Sequence, residues 1–456
     1  EGCDSSVSDI TVRDEINGYP VTYIGDNAFE NHENLSNVSL SNNITGIGSC
    51  AFKNCLTLSN IIIPNSVTTI LDRAFSGCTK LSGITIPDSV TRIGRVIFED
   101  TLISQNSDNW IDGILYVDNC VVDSKKDIIN ANIKDGTRII CDAAFMSSNL
   151  TSVTIPDSII AISDSAFMLS NLTSITIPDS VVAIYDYAFF YCSHLNNIKI
   201  GNGVTYIGER AFENIGYCNN EANWVDDMLY IDNYLLYNRN KDISSVDIKE
   251  GTRLLNNSFS QCEKLKDITL PNSIVALNNG EFYGCSSLTS VVLPDSVTTV
   301  GEEAFRACTN LESMVLSKNI EVLPYGFACD CISLNNVVLP EHLKKIEDKA
   351  FGYTALQTVD MPDEIESLSV FEDSYDFGTP NTNASFYGSE SVVMRCRENS
   401  YIHKTAEKYN FPYVLIPDGP DKFDYDNHKY EPKLAMQCAN FAASAYGTYR
   451  NKPYKE

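Results

Sequence analysis

The sequence lacks the features of several large protein classes. It contains no uninterrupted apolar run of about 18 residues, the minimum for a membrane-spanning helix, so we expect no membrane insertion. Basic residues are scarce: 33 Lys and Arg stand against 60 Asp and Glu, and the resulting net charge of −27 repels phosphate backbones. We therefore expect no nucleic-acid partner. The acidity itself requires no specific ligand, because a high net charge keeps a protein soluble.

Motifs for catalysis and metal binding are also missing. No nucleophile elbow, P-loop or dinucleotide fingerprint follows a predicted strand, and there is neither a C-x-x-C pair nor an EF-hand loop. Two of the five histidines, His32 and His194, fall in predicted turns, where we expect them to be solvated. None of the five has the spacing of a metal site; they are His32, His194, His342, His403 and His428. We expect no catalytic residues, no metal, no cofactor and no enzymatic activity.

The fifteen cysteines do not have the pattern of a disulfide framework, because their number is odd and many follow a repeat. Six of them stand three residues after a recurring phenylalanine: Cys55, Cys78, Cys192, Cys262, Cys285 and Cys308. This spacing predicts unpaired, buried thiols that act as small packing units. We expect Cys→Ser changes there to destabilise the protein, because a buried hydroxyl would have no assured partner.

The recurring phenylalanines define an internal repeat of about 23 residues. Successive members are 22 to 24 residues apart, except for two steps of 47. At 456 residues the chain exceeds the roughly 250–300 residues of a single core, so a linear array is expected. The thirteen anchors are Phe29, Phe52, Phe75, Phe98, Phe145, Phe167, Phe189, Phe212, Phe259, Phe282, Phe305, Phe327 and Phe351.

Each repeat has the same internal order, which is clearest at residues 150–170. Leu150, Val153 and Ile155 have the L-x-x-V-x-I spacing of a short strand, and Pro156 ends it. A turn serine, Ser158, follows, and we expect its column to hydrogen-bond the backbone of neighbouring turns. A second short extended piece leads to Ala-Phe, which we expect to open a helical turn. Equivalent turn residues are Ser66, Ser89, Ser180, Ser273, Ser296, Asn43 and Asn319.

This unit, L-x-x-I-x-I-P-x-S-V-x-x-I-x-x-x-A-F-x-x-C, resembles the leucine-rich repeat of BspA-like surface proteins over residues 18–370. It uses Ser more often than the general consensus Asn at the turn. The resemblance implies an α/β repeat fold: a leucine-rich-repeat solenoid, that is, a curved right-handed β-rich coil with thirteen recognisable repeats and two hairpin insertions. It also implies a bacterial protein, extracellular or on the cell surface, that adheres to matrix components or other cells.

The two 47-residue steps contain matching insertions, since Trp110 and Trp224 are 114 residues apart, as are Phe98 and Phe212. In each, an apolar strand runs into Asp-Asn, at Asp118 and Asp232, which is typical of a tight hairpin turn. The tryptophans could form ligand platforms, or they could pack on the solenoid as local core.

The sequence predicts three parts: the array with the remains of an N-terminal cap (1–370), a loop and C-terminal cap (371–417), and a linker with one helix (418–456). Strand, helix and strand are expected at 392–395, Tyr401–Tyr409 and Tyr413–Ile416. Because the chain begins with Glu1 and lacks an initiator Met, we expect it to be a piece of a longer protein. Residues 430–447 resemble the first helix of lipase-like hydrolases and, around Cys438, the nucleophile helix of cell-wall amidases; a plain capping helix remains open as well.

The leading hypothesis is an extracellular binding scaffold that holds a protein or other macromolecule on a concave face. Outward-facing Val292, Val315 and Val338 fall in three consecutive repeats, and Ser290, Ser313 and Asn336 flank them. We expect these six residues to form the contact stripe. Two alternatives are a targeting arm for a secreted hydrolase that begins near Tyr430 and a passive structural spacer.

Overall fold

The structure, a computed structural model, describes residues 6–371, 382–389 and 392–416. Contacts divide the chain into two compact units. Unit 1 comprises Glu1–Asn240, Glu250–Ser258 and Ser273–Asn278, and unit 2 comprises Lys241–Lys249, Phe259–Asn272 and Asn279–Glu456. Short parallel strands stack turn upon turn, so the fold is a β-solenoid of about sixteen turns with little helix. The predicted solenoid is confirmed, with a few more turns than the thirteen repeats recognised in the sequence.

Each turn begins with a first strand, the L-x-x-I-x-I segment of the repeat. Its middle residue points inwards and its neighbours face solvent, as in Asn60–Ile62, where Ile61 is buried and the other two residues are exposed. In unit 1 the first strands are Asp9–Thr11, Asn37–Ser39, Asn60–Ile62, Gly83–Thr85, Asn130–Asn132, Ser152–Thr154, Ser174–Ile177 and Asn197–Ile200. In unit 2 they are Ser245–Asp247, Asp267–Thr269, Ser290–Val292, Ser313–Val315, Asn336–Val338 and Thr358–Asp360.

A second strand of two residues lies just before the phenylalanine turn and adds an apolar side chain to the core. In unit 1 the second strands are Tyr23–Ile24, Gly46–Ile47, Thr69–Ile70, Arg92–Ile93, Ile139–Ile140, Ala161–Ile162, Ala183–Ile184, Tyr206–Ile207, Leu254–Leu255 and Ala276–Leu277. In unit 2 they are Thr299–Val300, Val322–Leu323, Lys345–Ile346 and Ser367–Leu368. The serine turn between the strands behaves as predicted: Ser66 Oγ donates to the Ile44 carbonyl at 2.6 Å, and Ser158 Oγ to the Thr137 carbonyl at 2.7 Å. Ser296 differs, because its buried hydroxyl has no partner.

The phenylalanine rings form a stacked ladder inside each unit. In unit 1 their centroids are 5.1–6.1 Å apart, with Phe167 at 5.1 Å from Phe145 and 5.2 Å from Phe189. The predicted helical turn around each ring is wrong. Residues on both sides of the ring adopt left-handed backbone, for example Ser165 (φ 56°) and Leu169 (φ 58°), and this conformation stops a right-handed helix from extending. The segment is a hydrogen-bonded turn instead.

Phe327 departs from the ladder predicted in unit 2. Phe282 N–H donates to the carbonyl of Ala304, but Phe305 N–H donates to the carbonyl of Phe327, at 2.8 Å. Phe327 therefore occupies the alanine position of its turn, and Ala328 occupies the phenylalanine position. The ring of Phe327 crosses those of its neighbours at 76° and 84° in place of stacking. The unequal steps of 22 and 24 residues around Phe327 were the signal for this swap.

Each predicted insertion contains a hairpin and also a full additional turn. The three antiparallel strands of the first hairpin are Trp110–Ile111, Ile114–Val117 and Cys120–Ser124; those of the second are Trp224–Val225, Met228–Ile231 and Tyr234–Asn238. The two-residue turns at Asp118 and Asp232 are confirmed. After each hairpin an ordinary first strand follows, Asn130–Asn132 in the first insertion and Ser245–Asp247 in the second. These strands account for part of the additional turns.

Short elements complete the described residues. At the N-terminal end Glu15–Ile16 pairs with Tyr19–Pro20. One-turn helices are Leu102–Gln105, Ser107–Asn109, Gly216–Asn219, Glu221–Asn223 and Ala384–Phe386. Near the C-terminal end Val370–Phe371 pairs with Thr382–Asn383, and the predicted strand, helix and strand are present as Val393–Arg397, Tyr401–Tyr409 and Tyr413–Ile416. The predicted helix at residues 430–447 lies outside the described residues.

Candidate functional site

The six residues of the predicted contact stripe lie together on the solvent side of three neighbouring first strands in unit 2. Parallel pairing places Val292 beside Val315 and Val315 beside Val338, and it aligns Ser290, Ser313 and Asn336 in the adjacent column. The opposite side of the strands carries Val291 and Met314, which are buried. We call Val292, Val315 and Val338 the valine stripe. Val292 is 63% exposed, whereas Val315 and Val338 are half-buried.

An ion pair lies in the same column beyond the valine stripe. Asp360 is aligned with Arg395 of the neighbouring strand, and their side chains are 2.9 Å apart. Burial raises the pKa of Asp360, and the Arg395 guanidinium opposes that shift. The column therefore changes from apolar to charged within two strands. Sequence reasoning placed Asp360 there but missed its partner, which follows a segment without repeat spacing.

In unit 1 the same solvent-facing positions are polar and almost free of charge. From Asn37 to Lys199, the residues flanking the middle of each first strand are mostly Ser, Thr and Asn, and Lys199 alone is charged. Ile62, at 76% exposure, is the large apolar residue among them. The repeat inside the first insertion adds Asn132 to this column, which sequence reasoning missed. The first-strand face of unit 1 thus offers hydrogen-bonding groups but no apolar stripe.

The two tryptophans of the hairpins are held by backbone contacts. Trp110 Nε1 donates to the Ser104 carbonyl at 2.8 Å, and Trp224 Nε1 donates to the Cys218 carbonyl at 2.9 Å. Trp110 is half-buried and packs against the core that contains Phe52. The Arg239 guanidinium lies over the Trp224 ring, 4.7 Å from its centroid. For Trp110 these contacts support the local-core interpretation over the ligand-platform one.

Within the described residues, the cysteines of the repeat form no disulfide bonds, as predicted for Cys262, Cys285 and Cys308. Their thiols have a role that the sequence did not reveal: Cys285 Sγ donates to the carbonyl of Phe259, in the preceding turn, at 3.1 Å. Burial raises the pKa of Cys285 to about 12, which keeps the thiol protonated and unreactive. The premise that a hydroxyl lacks a partner here does not hold, since Ser148 in the same column donates to the Phe145 carbonyl at 2.7 Å.

The described histidines are dispersed. His194 is exposed, as expected, whereas His32 is buried against Phe29, so its predicted solvation is wrong. His342 Nδ1 lies 3.1 Å from a Glu364 carboxylate at the surface. His403 is buried in the helix Tyr401–Tyr409, and its Nδ1 accepts from the Asn399 N–H at 2.9 Å. Among the residues that the structure describes, no three His, Cys, Asp or Glu side chains are placed to hold a metal ion.

An apolar cluster on the phenylalanine turns of unit 1 was missed by sequence reasoning. In three successive turns the residue after the ladder phenylalanine is Met146, Met168 or Phe190, and the left-handed residues beside them include Leu169, Tyr187 and Tyr191. Other turns carry mainly polar residues at the first position, such as Glu30, Lys53 and Glu213. The sequence did contain a sign of this cluster: Met146, Met168 and Phe190 are 22 residues apart, which is the repeat spacing. We call these six residues the methionine–aromatic patch.

A family model for the BspA-type leucine-rich repeat region matches residues 4–109, 118–244 and 252–376, most of the chain. The chain therefore belongs to the BspA-type leucine-rich repeat family. Solved structures that it matches include a leucine-rich repeat protein from Bacteroides ovatus (28% identity, 85% of this chain and 91% of that one, TM-score 0.30). A leucine-rich cell surface protein from Faecalibacterium prausnitzii also matches (22% identity, 92% and 93%, TM-score 0.30), as does the pneumococcal vaccine antigen PcpA (16%, 91% and 90%, TM-score 0.25). A search of curated proteins finds no match.

In the part of the chain that the structure describes, no helix has the length and apolarity to span a bilayer.

Proposed function

We propose that this chain is the binding array of an extracellular or cell-surface bacterial protein and that it holds a macromolecular partner against the first-strand face. The observation that carries the proposal is the valine stripe. Three β-branched side chains stand in register on the solvent side of unit 2, with small polar neighbours that leave them accessible. Exposed apolar groups in a continuous row are typical of contact surfaces. Membership of the BspA-type family supports the surface location.

Substitutions in the stripe test the proposal. Val292→Asp and Val315→Asp place a carboxylate where an apolar contact is expected, and Val292 tolerates it best because its side chain is 63% exposed. Ile62→Asp is the matched control, since Ile62 occupies the same strand position in unit 1 and is 76% exposed. The probe is a panel of immobilised matrix proteins (fibronectin, laminin and collagen), with binding measured by surface plasmon resonance.

We expect both valine variants to keep the far-ultraviolet circular dichroism spectrum of the parent. Each should lose about tenfold or more in affinity for the panel member that the parent binds, because the contact would bury an unpaired carboxylate. Ile62→Asp should bind as the parent does. The proposal fails if the parent binds no panel member or if Val292→Asp binds as tightly as the parent. The hydrolase-arm alternative concerns residues from Tyr430 onward, which lie outside the described residues.

A further inference from the structure

The methionine–aromatic patch is a continuous surface. Backbone hydrogen bonds connect its turns directly: Ser147 N–H donates to the Met168 carbonyl at 2.8 Å, and Leu169 N–H donates to the Phe190 carbonyl at 2.9 Å. Phe190 packs against Tyr191, with ring centroids 4.6 Å apart, and against Tyr187 at 5.3 Å. Leu169 and Tyr191 are 48% and 49% exposed, and the other members are half-buried.

This composition is unusual for a solvated turn in an acidic protein. Met, Tyr and Phe are the side chains that protein interfaces enrich, while Lys, Glu and Asp are depleted there. Met adds adaptability, because its unbranched side chain repacks against differently shaped partners. The ladder rings beneath the patch are 5.1 and 5.2 Å apart, so three turns extend about 10 Å along the array. A surface of this length fits a short peptide segment better than a folded domain.

A line of carboxylates borders the patch. The residue three positions before the ladder phenylalanine is acidic in four successive turns and directly precedes the left-handed residue of each turn, which is Tyr187 of the patch in one of them. These acidic residues, which we call the carboxylate row, are Asp142, Asp164, Asp186 and Glu209. Backbone contacts fix the row, since Asp186 N–H donates to Asp164 Oδ1 at 3.2 Å and Glu209 N–H to Asp186 Oδ1 at 2.7 Å. Arg92 neutralises part of it by pairing with Asp164. Asp142 is buried, so the half-buried Asp186 and the exposed Glu209 carry the negative charge that a partner can reach.

The occupant that complements these two features is a segment with apolar side chains on one face and cations on the other. Like charge disfavours a second copy of this chain as the occupant, because each copy carries −27. The chain itself contains the corresponding contact on a small scale: the Arg210 guanidinium lies 6.0 Å from the Phe190 ring centroid while its Nε is 3.0 Å from Glu213. A Lys or Arg of a partner would meet both ring faces and carboxylates in the same way.

We propose that the methionine–aromatic patch, together with the carboxylate row, is a second binding surface, specific for a short amphipathic and basic segment of another protein. It lies in unit 1 on the phenylalanine turns, whereas the valine stripe lies in unit 2 on the first strands. The inference extends the proposed binding function to another partner class. A defined peptide tests this second surface. A negative result with the peptide would therefore leave the matrix-protein test of the valine stripe unaffected.

The probe is a fluorescein-labelled 14-residue peptide of leucine and lysine that folds as an amphipathic helix, and its twin carries glutamate in place of lysine. Fluorescence anisotropy measures binding to the whole chain. We expect the lysine peptide to bind with a dissociation constant in about the micromolar range, typical of small transient interfaces, and to weaken as salt rises. The glutamate peptide should not bind. Equal binding of both peptides would overturn the role of the carboxylate row.

A double variant, Leu169→Ser with Tyr191→Ser, should weaken the lysine peptide about tenfold or more. Val182→Ser is the matched control, because Val182 is 50% exposed and belongs neither to the patch nor to the row. Met146 and Met168 supply a second readout in the unmodified chain: the bound peptide should protect both from hydrogen peroxide. Unchanged oxidation of these two methionines, or equal affinities of the double variant and Val182→Ser, would refute the proposal even if one variant folds poorly.

Discussion

At the scale of single residues, the ladder phenylalanine is the unit on which packing depends. Phe167 is fully buried and stacks on both sides with nearly parallel rings. Replacing it by alanine removes these contacts and leaves a cavity, so we expect Phe167→Ala to cost about 3–5 kcal/mol in the turns around it. Phe190→Ala is the control, because Phe190 is half-buried and should cost about 1 kcal/mol.

Hydrogen exchange measured by mass spectrometry on peptides covering residues 143–192 checks this prediction, because a repeat array does not unfold in a single step. Equal protection of the Phe167→Ala protein and its parent would contradict the ladder.

The sequence was informative about these residues only where packing dictates their type. Phenylalanine recurs at the ladder position because its ring fills the space there, and the regular spacing was enough to locate it. The backbone around the ring was not predictable, because left-handed positions are filled here by Ser165, Leu169 or Tyr191 and not by glycine. The helical turn was therefore the natural but incorrect expectation. The Cys285 thiol bond was equally hidden, since it depends on a carbonyl one turn away.

At the scale of elements, the first hairpin separates two cores of unit 1. Leu115 and Val117 pack into the cluster that contains Phe75, while Ile114 and Tyr116 pack into the cluster that contains Phe145. Asp118 at its tip accepts the Ile86 N–H at 3.0 Å. This backbone N–H directly follows the strand Gly83–Thr85, and Asp118 gives it a hydrogen-bond partner. The hairpin turn was predictable from Asp-Asn.

The strand after that hairpin was not predictable. Asn130–Asn132 consists of Asn-Ala-Asn, residues with poor strand propensity, and it forms because Ser152–Thr154 offers a parallel partner.

Charged residues connect the two ladders across this hairpin, and they predict a pH dependence. Asp142 is buried beside Asp164, and burial together with that neighbouring charge raises its pKa to about 7, although Arg92 at 3.9 Å opposes the shift. Because the pKa is raised, the folded state binds more protons than the unfolded state between about pH 4 and 7. Stability is therefore lost as the pH rises through that window, and the loss is complete above about pH 7.

Asp142→Asn should remove this loss. The chain contains a precedent, because Asn256 stands 114 residues later at the equivalent position. Asparagine keeps the oxygen that accepts the Asp164 N–H, so we expect a gain on the order of 2–4 kcal/mol at pH 8 and little change at pH 4. Exchange protection of peptides covering residues 139–167, compared with the parent at each pH, measures it. Asp157→Asn, at an exposed turn, should retain the parent's pH dependence; loss of protection in Asp142→Asn at pH 8 would refute the assignment.

At the scale of the whole molecule, the distribution of charge sets how stability responds to salt. The chain carries −27, yet the first-strand face of unit 1 is nearly uncharged, so acidic groups are concentrated on the remaining surface. Like charges held close together repel one another and disfavour the compact state. The Debye length falls from about 30 Å at 0.01 M salt to about 8 Å at 0.15 M, which screens this repulsion more than it weakens paired groups in direct contact.

The melting temperature at pH 7.5 should therefore rise with sodium chloride, by roughly 2–4 °C between 10 and 500 mM, equivalent to about 1 kcal/mol for a cooperatively melting unit of about 150–250 residues. The titration uses a chloride salt and not a sulfate salt, because sulfate would also stabilise the protein by strengthening apolar burial. The control is the same titration at pH 4.5, the isoelectric point expected from the composition. There the net repulsion is absent and the rise should vanish. A melting temperature that falls with chloride at pH 7.5 would mean that attractive ion pairs such as Lys53–Glu30, at 2.8 Å, outweigh the net charge.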